Sequence, residues 1–135
     1  MSRELITESF EIAAERCEDL TPLVYHRLFT EKPEMVPLFW RDTNHSVKGE
    51  MLAQAIEAIL DFVGDGRYAA RMLQNEVVTH AGYDVPPEVF RTFFGVVAAT
   101  LKEVVGADWT PAMDAEWTKL LAELDYYVTH PYASA

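Results

Sequence analysis

From Ile6 to Val128 the apolar residues of this chain return three or four positions apart, and nowhere do they alternate one in, one out. That spacing lines up on one side of a helix and scatters around a strand, so the chain can bury its apolar side chains only as helices. Ile6, Phe10, Ala13, Cys17 and Leu20 mark the buried face of a first helix. It should end at the Leu20-Thr21-Pro22 corner, where Thr21 can cap the next helix and Pro22 can occupy its first turn. Tyr25, Leu28 and Phe29 share one side of that short second helix, which stops before Lys32-Pro33. Residues 33 to 46 contain Pro33, Pro37, Asp42, Asn44 and Ser46 and read as a corner with at most a short turn of helix, anchored by Phe39 and Trp40.

Val47, Met51, Ala55, Ile59 and Val63 define a long third helix, broken by Gly64-Asp65-Gly66. A helix from about Tyr68 to His80 follows, then a turn from Gly82 to Pro87 whose paired prolines can start a helix but not continue one. Phe90, Phe93, Val97, Leu101 and Val104 form the stripe of the next helix. Thr110-Pro111 repeats the cap-then-proline start, and Met113, Trp117, Leu120, Leu121, Leu124 and Val128 complete the last helix. An all-α fold follows, with its two longest C-terminal helices packed antiparallel. No repeat or linker-like shift divides residues 1 to 135, so one domain is expected, and half-apolar composition suffices for its core.

A formal charge of −11 argues against a nucleic-acid partner, because phosphate binding relies on clustered Lys and Arg. No apolar run reaches the roughly 18 residues of a membrane span, and MSRELITESFE has no basic segment followed by a hydrophobic one. A cytoplasmic protein without membrane attachment is therefore expected. Cys17 is the single cysteine, which excludes an internal disulfide and a cysteine-rich metal site, and its thiol reads as core filler. His-Glu-x-x-His, Gly-rich phosphate loops and Gly-x-Ser-x-Gly are missing, so hydrolase, zinc and nucleotide chemistries have no local support.

The chemistry concentrates around His80. Leu73, Val77 and His80 fall at i, i+4 and i+7, which places the imidazole among core-facing aliphatics. A buried imidazole needs a partner: a hydrogen-bond acceptor, an ordered water or a metal. Phe39, Leu52, Ile56, Leu73, Val77, Phe90, Phe93 and Val97 lie on stripes that could line an apolar slot, or serve as ordinary packing.

In order and spacing these features resemble a single-domain bacterial globin, similar to the haem domain of flavohaemoglobins. The resemblance is carried by Tyr25-His26-Arg27-Leu28-Phe29-Thr30-Glu31-Lys32-Pro33-Glu34-Met35-Val36-Pro37-Leu38-Phe39, by the segment from His80 to Glu88, and by Trp117. It implies a globin fold, a helical sandwich around a haem pocket, holding haem b (iron protoporphyrin IX). His80 would be the axial iron ligand, Phe39 the aromatic stacked on the porphyrin, Tyr25 the distal tyrosine and Leu52 the aliphatic over the iron. Val77, Phe90 and Phe93 would contact the porphyrin. A neutral imidazole on a rigid helix is the strong donor haem iron requires, and its second nitrogen should donate to a carbonyl. The Tyr25 hydroxyl could stabilise bound dioxygen, or its ring could simply pack.

The second distal position has two readings. Counting back from Leu52 gives Lys48, where relatives often carry glutamine or histidine; counting forward from Phe39 gives Gly49. Lys48 can turn to solvent, bond a ligand or, once deprotonated, coordinate iron, and solvent is the default for a lysine. His45 lies a further turn back and is a candidate sixth iron ligand if the corner folds inward. Where flavohaemoglobins support the proximal histidine with tyrosine and glutamate, the matching positions carry Phe90 and, approximately, Tyr132. Without that network, peroxidase chemistry is disfavoured. The resemblance implies reversible binding of dioxygen, carbon monoxide or nitric oxide, for oxygen storage, transport or delivery, or for gas or redox sensing. The enzymatic alternative is nitric oxide dioxygenation, which would require an external reductase because no flavin or nicotinamide domain is present.

Overall fold

Thr110 has extended backbone geometry and its side chain accepts a hydrogen bond from the Met113 N–H at 3.1 Å, with Pro111 opening the helix behind it. This cap satisfies one of the donors that a helix start leaves without a partner. The computed structural model describes residues 2–39, 46–63, 69–81 and 88–130, with backbone alone at 2–3, 37–39, 46–48, 69–70 and 79–81. Among these residues there are six α-helices and no strand: α1 (Ser2–Arg16), α2 (Thr21–Glu31), α3 (Ser46–Val63), α4 (Ala69–Ala81), α5 (Glu88–Val105) and α6 (Pro111–Thr129). A 3-10 helix, Pro33–Phe39, links α2 toward α3, and a short one, Gly106–Asp108, links α5 to α6.

Around α2 the local causes differ from the expected ones. Thr21 does not cap α2. Leu20 holds the cap position without a side-chain bond, and the Asp19 carboxylate accepts from the Thr21 N–H at 3.0 Å instead. That bond, with a second from the Thr21 side chain, holds the Asp19 carboxyl below its usual range. Cys17 lies just beyond α1, half-buried, with its thiol 3.2 Å from the Asp19 carbonyl. It is therefore part of the corner between helices and not core filler. The stretch after Pro33 forms seven residues of 3-10 helix, more than the single turn expected, while Trp40 lies outside the described residues.

Packing follows a closed circuit. α5 packs on α2, α2 on α3, α3 on α4, α4 on α6, and α6 again on α5, while α1 lies across α5, α6 and α3. Because α5 touches three other helices, it buries Phe94, Val96, Ala98 and Thr100 besides the expected Phe93, Val97 and Leu101. Single-stripe periodicity underestimates such a helix, since a central element is apolar on more than one side. Ile6, Val24, Ile59, Leu101, Trp117 and Val128 are almost fully enclosed in the contiguous core. No described helix is long and apolar enough to cross a membrane.

Candidate functional site

On α4, Leu73 and Val77 are buried, and the backbone carries position 80 one turn further along the same register. The side chain of His80 lies outside the described ones. Opposite, α3 packs on α4 and buries Leu52, Ala55 and Ile59, with Ile56 half-buried beside them. Gly49 stands three residues before Leu52 on α3. A Cβ added there would meet nothing within 4 Å among the described residues.

The remaining wall comes from α2 and α5. Tyr25 is 4% exposed, and its ring lies 5.8 Å from both Phe29 and Phe93, tilted 44° and 50° to them. A tyrosine packed this way has its orientation held by two aromatic neighbours. Val97, one turn beyond Phe93, is buried, and Phe90, one turn before, is half-buried. Tyr25, Leu52, Leu73, Val77, Phe93 and Val97 come from four helices, α2 to α5, and belong to the one contiguous core cluster. Among the described residues no Asp, Glu, His, Lys or Arg is buried; besides the Tyr25 hydroxyl and the Trp117 indole, the buried polar side chains are Ser9, Gln74 and Thr100. Nor do three or more His, Cys, Asp or Glu converge as a metal cluster. The site is apolar, with few polar groups, as sites for flat hydrophobic ligands commonly are.

Of the residues singled out by sequence, the structure brings Tyr25, Leu52, Val77 and Phe93 into the core and leaves Phe90 at its edge. Phe39 ends the 3-10 helix and Lys48 lies in the first turn of α3, their side chains outside the described ones; His45 and Tyr132 lie wholly outside the described residues. Sequence reading passed over Gln74. A polar residue beside Leu73 looks like the edge of a solvated face, yet Gln74 is 1% exposed and its Nε2 donates to the His130 carbonyl at 2.9 Å.

Residues 23–127 match the family model described as Globin. Cytoglobin-2 of Danio rerio is 25% identical to the chain over 145 aligned positions, covering 98% of this chain and 81% of the relative. No solved structure matches it significantly.

Proposed function

The chain belongs to the globin family, and from that premise we propose that it reversibly binds dioxygen, or another diatomic gas such as carbon monoxide or nitric oxide, through a haem b held by His80. Globins bind haem, and a ferrous haem held here would supply a metal centre able to bind a gas molecule reversibly. The observation that carries the proposal is the register of α4, in which position 80 continues the buried Leu73 and Val77. The chain's own groups fit that cofactor. An imidazole is the right donor, and the buried side chains among the described residues around it are uncharged.

In this reading His80 would supply the lone pair to the metal, and Phe39 would hold the porphyrin by stacking. Leu52, Val77, Phe93 and Val97, buried in the core, would keep water from the cofactor, with the half-buried Phe90 beside them. Tyr25, held by Phe29 and Phe93, would donate a hydrogen bond to a polarised gas ligand. Such a bond weakens only when the ligand leaves, so it slows release. Lys48, Gly49 or His45 completes that side. The globin domain is taken to span residues 1–135 and to be similar to the haem domain of flavohaemoglobins.

Absorption spectra of the purified protein, ferric and ferrous, with and without carbon monoxide, test the proposal. A Soret band that shifts with carbon monoxide is expected. A preparation with ample haem supply that shows no Soret band and takes up no added hemin would end it. Sustained consumption of nitric oxide by the oxygenated protein with an external reductase would reassign it to a dioxygenase.

A further inference from the structure

The carbonyl of His130 stands where α6 ends, and the last carbonyls of a helix have no acceptor role within it. Gln74 of α4 fills that role, bridging 56 positions of sequence with an amide that is 1% exposed. A buried amide costs free energy unless bonded, so this contact holds α4 and α6 in one relative position. The acceptor is itself held: the His130 ring stacks on Tyr126 with centroids 4.3 Å apart, and its Nδ1 lies 2.8 Å from the Tyr126 carbonyl oxygen.

Helical geometry connects this contact to the site. At about 100° per residue, Gln74 lies roughly 120° around α4 from position 80, with Leu73 and Val77 in the arc between them. The two aliphatics pack without directional preference, whereas the amide bond demands distance and angle. We propose that Gln74 is a positioning residue for His80, its amide clamping α4 to the end of α6 and so setting the rotation and depth of the helix that presents the imidazole. The inference rests on the assignment of His80 made above. A helix turned by about 10° carries a side-chain atom roughly 5 to 6 Å from its axis through about 1 Å, enough to alter a coordination bond.

The test compares Gln74→Met, similar in length but without a donor, with Ser9→Ala, which removes a buried hydrogen bond between α1 and α6. In the chain free of ligand, amide hydrogen exchange in the second half of α4 should rise about tenfold in Gln74→Met relative to α5. In the hemin-loaded, reduced protein, the iron–imidazole stretching band should shift or broaden in Gln74→Met and stay in place in Ser9→Ala. Exchange that rises evenly through the protein, or a band unchanged in Gln74→Met, overturns the proposal. Should Gln74→Met not fold, Gln74→Asn, which withdraws the amide by one methylene, is read by the same criteria. If His80→Ala takes up hemin as well as the native protein, the site assignment fails instead, and the exchange result separates the two failures.

Discussion

The indole N–H of Trp117 donates to the Ser9 hydroxyl at 3.0 Å in the fully buried interface between the first helix and the last, and that hydroxyl in turn donates to the Ile6 carbonyl at 2.6 Å. Phe10 meets the same indole edge-on at 5.6 Å, and Trp109 stacks on it at 6.5 Å. Ser9→Ala removes the acceptor and leaves a buried donor without a partner, so chemical denaturation should show a loss of about 1–3 kcal/mol. A stability within a few tenths of the native value would mean that the indole finds another acceptor.

His80→Ala should fold, since α4 keeps Leu73 and Val77 in the core, but should retain little haem. Haem content per chain, measured after gel filtration, checks this. Undiminished retention would place the axial ligand elsewhere.

Tyr25→Phe should keep haem and fold, because the ring contacts with Phe29 and Phe93 survive the change. Losing a hydrogen bond to a polarised ligand, worth about 1.5–3 kcal/mol, should speed oxygen dissociation roughly tenfold to a hundredfold. Stopped-flow displacement by carbon monoxide measures it, and an unchanged rate removes Tyr25 from the site.

The open distal position is settled by two variants read against one spectrum. If the ferrous protein is six-coordinate and low-spin, His45→Ala should return it to five-coordinate when His45 is the sixth ligand. A low-spin spectrum that survives His45→Ala but not Lys48→Ala assigns the lysine.

Asp114 accepts hydrogen bonds from the Trp109 indole at 3.1 Å and from Lys102 at 3.2 Å, and these, with the lysine charge, hold its carboxyl below the usual range. A carboxyl whose pKa is lower folded than unfolded stabilises the fold above its ordinary value, and that contribution is lost as pH falls through the folded value. Asp114→Asn should therefore show a shallower acid-side decline in melting temperature below about pH 4, by a small amount at so exposed a site. Superimposable profiles for the two proteins would rule the contribution out.

Local chemistry was legible before any coordinates. The helical period and the Thr110-Pro111 start depend on residues within a turn or two of one another, and such relations survive in a linear reading. Long-range packing was not legible. The extra burial on α5, the Asp19 bond that opens α2, the corner position of Cys17 and the Gln74 bridge to His130 each depend on which element lies alongside, or on how the chain turns between elements. A polar residue next to an apolar stripe has the same sequence signature whether it meets water or the end of another helix; at Gln74 the approach of α6 made the difference.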